Sequence, residues 1–268
     1  MTTTFVLVSG TFTGGWLWHE LATHLRAAGA EAHPATLTGM GDRRHLAHPG
    51  TGLDTHIEDL VQLIDHLDPA GTPEAVLVGH CYGICPTVGA ADRRPERVSR
   101  VVYLDSPLPE DGRSLLDQIR EDMPDSEPRT RMLTRIAQAE DGWRIPAPAP
   151  GDWDAWGAAN DLPATAGALL QRMAAPQPAR TYTQPLGLTG AARTLPATGI
   201  FCTAGGTTVD TVQTMADTGD PRVQWLIDER TTFFDLHTGH YPMLSAPAEL
   251  AALLLRAAAG EGRRLTRA

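Results

Sequence analysis

Apolar positions along this chain follow two rhythms. Phe5–Val8 and Ala75–Val78 are short continuous apolar runs, and Val98–Leu104 is apolar but for Ser99 and Arg100, without polar alternation. Such runs predict strands buried on both faces, as in a parallel sheet covered by helices. Between them apolar residues recur at helical spacing. Leu21, Leu25 and Ala28 share one face of a segment from Trp16 to Ala28, which Gly29 ends. Ile57, Leu60, Val61 and Ile64 share one face of Leu53–Leu67, with Asp54 as the expected cap. Ala30–Ala35 reads as a second strand, and a helix is expected from the turn near position 81 to about Ala91. Alternating strands and helices of this kind predict an α/β fold, mostly parallel, with helices on both faces.

Residues 112–195 break the rhythm. They are rich in Pro, Asp and Arg, with Trp143, Trp153 and Trp156 among apolar helical patches. The expected organisation is a core of residues 1–111 and 196–268 with residues 112–195 inserted as a helical cap. The core resumes with a strand over Ala197–Thr203, a helix near 208–217, strands over Val223–Ile227 and Phe233–Leu236, and a helix from Ala246 to about Ala259. The basic tail after Gly260 reads as frayed.

Composition narrows the chemistry. The 268 residues are 42% hydrophobic and 20% charged, enough apolar content for a large core. Net charge is −10, which argues against a nucleic-acid partner and an anionic membrane surface. Every basic residue is arginine, so Schiff-base lysine chemistry and Walker-type phosphate loops are excluded. Three cysteines, at 81, 85 and 202, offer neither a disulfide framework nor zinc spacing. With no signal-like N-terminus and no long apolar span, a cytoplasmic location is expected. A small-molecule substrate, no membrane partner, and a monomer or homodimer are the matching expectations.

The most informative segment is Val76-Leu-Val-Gly-His-Cys-Tyr-Gly-Ile84. A strand ends in Gly-x-Cys-x-Gly, the pattern of a nucleophile elbow with Cys81 at the nucleophile position. Glycines two residues either side let neighbouring backbone pass close to a strained turn. The helix that follows aims backbone N–H groups at whatever Cys81 attacks. Downstream, His240 sits in a Gly-His-Tyr-Pro turn after the last strand, in the chain order nucleophile, acid, base.

With these positions the chain resembles the α/β-hydrolase superfamily, and within it the small capped esterases of the hydroxynitrile-lyase and methylesterase group. The carrying segments are Phe5–Trp18, Leu37–Asp42, Leu53–Asp59, Val78–Gly83, Val102–Gly112 and Gly239–Pro247. The resemblance implies acyl-enzyme chemistry on an ester, lactone or thioester of a mostly apolar small molecule, with no cofactor. It implies oxyanion donors in the backbone N–H groups of Thr11 and Tyr82. Phe12, Trp143, Trp153, Trp156 and Tyr241 are the expected substrate-binding residues.

Three departures qualify the resemblance. The nucleophile is Cys81, and a thiolate needs less help from its base than a hydroxyl does. The usual His-Gly after the first strand is Ser9-Gly10. The resemblance places the acid just after Ile200–Thr203, where this chain has Ala204-Gly205-Gly206. Asp105, Asp210 or no carboxylate at all then orients His240. Tyr241 occupies a position where lyases of this group carry lysine, which argues against cyanohydrin cleavage. Two other readings stay open: a lyase or cyclase using His240 as general acid/base, and a silent ligand-binding protein. His80 reads as packing, Cys85 and Cys202 as core.

Overall fold

The computed structural model describes residues 2–67, 75–149, 152–153 and 161–267. In chain order, β1 (Thr4–Val8), α1 (His19–Ala27), β2 (Glu31–Ala35), α2 (Leu53–His66), β3 (Ala75–His80), α3 (Ile84–Arg93) and β4 (Val98–Leu104) form the first half of the core. The segment after β4 carries α4 (Leu115–Glu121), α5 (Glu127–Ala137), β5 (Arg144–Ile145), α6 (Ala164–Met173), β6 (Gln177–Pro178) and α7 (Arg180–Thr183). The core returns with β7 (Ala197–Cys202), α8 (Val209–Asp217), β8 (Thr231–Leu236), α9 (Pro242–Ser245) and α10 (Pro247–Ala258).

Among the described residues the main sheet has six strands in the order β2-β1-β3-β4-β7-β8, every pair parallel. Burial explains the absent alternation. Phe5 and Leu7 of β1 face α1 and α10, packing with Leu21, Leu25, Leu250 and Leu254. Val6 and Val8 point the other way, onto Ile57, Leu60 and Ile64 of α2 and Ile84 and Val88 of α3. Both faces are dry, so both parities must be apolar. Each such side chain contributes about 1.5–3 kcal/mol by burial. No helix among the described residues is long and apolar enough to cross a membrane.

Three local expectations give way. Val223–Ile227 is not a strand; a 3-10 turn spans Gln224–Leu226. Val223 and Leu226 are buried at a spacing of three, which is helical, and β8 already holds the place beside β7. Asp54 does not cap α2. Gly52 is the N-cap, its N–H bonded to Thr55 Oγ1, while Asp54 pairs with Arg93. The tail is tied down: Arg263 exchanges two backbone hydrogen bonds with Phe233, and Leu265 is buried.

Candidate active site

The elbow is built by close approach. Cys81 sits between β3 and α3 with φ +52°, a left-handed conformation that an L residue holds only where its surroundings impose it. A Cβ on Gly79 would lie 2.6 Å from Ile84 Cα, and one on Gly83 would lie 2.5 Å from the Ser9 carbonyl oxygen. Any side chain at either place would push the β1 loop or α3 away from Cys81. The β1 loop is fastened in turn. Ser9 Oγ donates to the Gly14 carbonyl at 2.7 Å and accepts from Trp18 Nε1 at 2.8 Å. Ser9 is therefore a buried tie of the loop, not a polar group facing substrate.

Neighbouring strand ends bring in the other two groups. β4 lies between β3 and β7, so its carboxyl end falls beside the elbow. Asp105 follows it with φ +42°. Its Oδ2 lies 2.5 Å from His240 Nδ1, and its Oδ1 accepts the Cys202 N–H at 3.3 Å. Cys81 is close enough to the His240 ring that each group's charge shifts the other. Asp105, His240 and Cys81 thus form one group of interacting side chains, with a hydrogen bond between His240 and Asp105. Asp210 is elsewhere: it is exposed on α8 and pairs with Arg263.

The charges in this chain favour a thiolate beside an imidazolium. Burial pushes the Cys81 thiol up, but His240 and two donors from Thr11 outweigh it, and the net shift is downward from 9.0. Burial pushes His240 down, but the Cys81 and Asp105 charges and their hydrogen bonds carry it up to about 10. His80 stays neutral. Burial, then the His240 charge, hold it well below the usual imidazole value. Its Nε2 donates to the His240 carbonyl oxygen at 2.8 Å and its ring lies 4.5 Å from the His240 ring. Cys85, one helical turn beyond Cys81, is pushed up to about 12 by burial and the Cys81 charge.

The mouth of the site takes residues from the β1 loop and from the segment between β4 and β7. Thr11 Oγ1 lies 3.7 Å from Cys81 Sγ. Phe12 is buried with φ +64°; its N–H donates to Gln177 Oε1 at 3.1 Å and its carbonyl accepts the Ala175 N–H at 2.9 Å. Tyr182 Oη donates to Thr11 Oγ1 at 3.0 Å. Asp161 Oδ2 accepts the Gly239 N–H at 2.7 Å, one residue before His240. Tyr82 turns its ring into the core, where its hydroxyl meets His56 Nδ1 at 2.7 Å.

Of the expected substrate-binding residues, Tyr241 is buried against the His80, His240 and Trp153 rings. Trp153 therefore reaches the site wall through Tyr241. Trp143 lies on the turn before β5 under the Arg144 guanidinium, and no ring contact joins it to His240 or Tyr241 among the described residues. Trp156 lies outside the described residues. Sequence reasoning missed Gln177, Tyr182 and Asp161. They sit in irregular or short elements of the insertion, where neither periodicity nor a motif marks a polar residue as pointing inward. His56 of α2 is fully buried.

The pattern of the alpha/beta hydrolase family matches residues 5–253. Among curated proteins, the carbendazim hydrolyzing esterase of Nocardioides sp. is 39% identical over 122 residues, 45% of this chain and 48% of that protein. Polyneuridine aldehyde esterase of Rauvolfia serpentina is 30% identical over 112 residues, 41% of each chain. The chain spans less than half the length of these curated relatives. An extracellular alpha/beta-hydrolase from a Paenibacillus species superposes with a TM-score of 0.73 at 21% identity, over 95% of this chain and 98% of that one. Tomato methylketone synthase I, complexed with 2-tridecanone, superposes with a TM-score of 0.72 at 19% identity, over 97% and 98%. At these identities the superpositions establish the fold alone.

Proposed function

The chain belongs to the alpha/beta hydrolase family, and within it we propose a cysteine esterase that cleaves an ester, lactone or thioester of a mostly apolar small molecule. The observation that carries this reading is His240 hydrogen-bonded to Asp105 and electrostatically coupled to Cys81 on the elbow. The esterase names of its curated relatives support the same reaction class.

The Cys81 thiolate attacks the carbonyl carbon, and the carbonyl electron pair moves to oxygen. The oxyanion is held by the N–H groups of Thr11 and Tyr82, the latter at the start of the elbow turn. The tetrahedral adduct collapses, and the His240 imidazolium gives its proton to the departing alkoxide or thiolate. The acyl group is then a thioester on Cys81. His240, now neutral, takes a proton from water or from an internal hydroxyl or amine as that group attacks. Thiolate leaves, and His240 is again an imidazolium. Asp105 keeps the ring oriented with Nδ1 away from Cys81 throughout. Residues 112–195 act as the cap, with Trp153, Phe12 and Tyr241 as the apolar wall beside the acyl group. A buried aromatic at Tyr241, where the resembling lyases need a cation, favours hydrolysis over cyanohydrin chemistry.

The test is turnover of p-nitrophenyl acetate and butyrate, with acid quench and peptide mass spectrometry. An acyl group on the Cys81 peptide, and loss of turnover in Cys81→Ala and His240→Ala, are the expected results. Full turnover in Cys81→Ala would defeat covalent catalysis at Cys81, and retained turnover of the native substrate in the same variant would transfer the reading to lyase or cyclase chemistry driven by His240.

A further inference from the structure

We propose that the Thr11 hydroxyl donates a hydrogen bond to the Cys81 thiolate, and that Tyr182 of the inserted segment is the positioning residue that fixes the direction of that bond. The inference rests on the reading that Cys81 is the nucleophile, and it concerns how this chain supports a thiolate at a site the resembling enzymes build around a serine.

The argument is one of proton counting. A threonine hydroxyl has one proton and two lone pairs. Thr11 Oγ1 has two polar neighbours: Cys81 Sγ at 3.7 Å and Tyr182 Oη at 3.0 Å. Tyr182 donates its proton to Oγ1. That fills a lone pair and leaves the Thr11 proton for sulfur. The reverse arrangement, a neutral thiol donating to Thr11, would give Oγ1 two incoming protons and leave its own proton without an acceptor in a buried site, at a cost of about 1–3 kcal/mol. The phenol remains a donor across the working range, because burial and the Cys81 charge hold it well above its ordinary value.

Tyr182 is not free to turn away. It is fully buried on α7, and its ring stacks on Tyr82 at 5.9 Å with an interplanar angle of 18°. Tyr82 is itself pinned: its hydroxyl meets His56 Nδ1 at 2.7 Å, and His56 Nε2 meets the Thr38 carbonyl at 2.8 Å. A strut of three buried side chains, His56, Tyr82 and Tyr182, therefore runs from α2 to α7 and reaches sulfur through Thr11. The Thr11 bond exists before substrate arrives, so it sets the thiolate fraction of the resting protein.

This gives a signature that simple structural damage would not produce. Removing the donor raises the thiol pKa, so the thiolate fraction falls near neutrality. Intrinsic nucleophilicity then rises with pKa, with a Brønsted slope of about 0.4–0.5, or roughly threefold per unit. The experiment is the rate of 2,2′-dithiodipyridine exchange at Cys81 against pH, followed by peptide mapping, in the full-length protein. Tyr182→Phe keeps the stacked ring and Thr11→Val keeps the volume. Both should move the midpoint of the profile upward and raise its alkaline plateau. Thr11→Ser should leave both in place. Unmoved midpoints in Tyr182→Phe and Thr11→Val overturn the proposal, and so does a midpoint that moves equally in Thr11→Ser. The outcome is separable from the esterase reading. An acylated Cys81 with unmoved midpoints defeats only the Thr11–Tyr182 assignment, whereas shifted midpoints without an acyl-enzyme defeat only the reaction.

Discussion

The carboxyl ends of β4 and β7 lie side by side, paired in parallel through Leu104 and Ile200, yet they carry opposite equipment. β4 ends in Asp105, whose positive φ turns its carboxylate toward His240. β7 ends in Thr203-Ala204-Gly205-Gly206, a turn with no carboxylate, closed by the Ala204 N–H on the Thr238 carbonyl and by Gly206 at φ +91°. The family resemblance places the acid on the β7 side, and this chain holds a carboxylate on His240 from the β4 side. A parallel sheet permits that exchange because its strands end along one edge, about 4.8 Å apart. An imidazole between two such ends can be reached from either. The β7 end keeps a supporting part, since the Cys202 N–H holds the second oxygen of Asp105.

The sharpest way to break this comparison is Asp105→Asn. The amide preserves size and can still accept the Cys202 N–H. It presents a neutral group to Nδ1 and can stabilise the wrong tautomer, so kcat/KM should fall by about 10²–10⁴-fold with the melting temperature nearly unchanged. The spread reflects how much a Cys–His pair retains without its acid. His240 also loses one of the two charges that carry it up to about 10, so the alkaline limb of the pH–rate profile should move downward, toward the ordinary imidazole value. Steady-state kinetics across pH in the variant check both. Wild-type activity in Asp105→Asn would mean that the β4 end is as idle as the β7 end.

The fold was legible because dry faces leave a plain trace. The apolar run at Phe5–Val8 and the mostly apolar Val98–Leu104 fit strands covered on both sides, and their residues pack into the clusters on the two faces of the sheet. Cys81, His240 and their chain order were legible because steric demands fix glycines at 79 and 83. The choice between Asp105 and Asp210 was not, because an Asp-Ser-Pro turn looks the same whether its carboxylate caps the turn or reaches a neighbour. The strand assigned to Val223–Ile227 failed because a five-residue apolar run buried at a spacing of three is indistinguishable by composition from one buried at two. Tyr182 and Gln177 were invisible because short irregular segments have no period, and only the tertiary path of the insertion brings them to Thr11 and Phe12.

A second test uses the three cysteines as reporters of two strand ends and one helix interior. Cys81 lies beyond β3 with its thiol held below 9.0, Cys202 ends β7, and Cys85 is inside α3. Burial pushes Cys202 up to about 12, with the Asp105 charge adding to it. The sign follows directly. As pH falls from 9.0, Cys81 stays thiolate until its lowered pKa is crossed, while Cys85 and Cys202 remain thiols throughout. Iodoacetamide at neutral pH should therefore label Cys81 in the native protein and leave the other two unmodified, as read by peptide mapping. In Asp105→Asn, Cys202 loses a charge that disfavours its thiolate, and burial alone should still protect it. Preferential labelling of Cys202 in the native protein would mean that the β7 end is the electropositive one, and the comparison would have to be reversed.

The smallest expected effect belongs to the carboxylate that sequence position makes most tempting. Asp210 lies five residues after Gly205, close in the chain to the place where the family resemblance puts the acid. Helix α8 begins at Val209, and its geometry sends Asp210 outward, with its side chain 81% exposed and paired with Arg263. The neighbouring Val209 and Val212 face the core, which fixes the rotation of the helix and keeps Asp210 on the solvent side. For its carboxylate to reach His240, α8 would have to turn and expose both valines. Asp210→Asn should leave kcat/KM and the alkaline limb of its pH profile as in wild type, since no charge near His240 changes. Stability should drop only slightly, because the change removes a screened surface ion pair and a favourable charge in the first turn of a helix. Raised ionic strength should erase that difference, and thermal melts at low and high salt measure it. A pH-profile shift in Asp210→Asn that matches the one in Asp105→Asn would place both carboxylates in one electrostatic unit, and the contrast between the two strand ends would no longer hold.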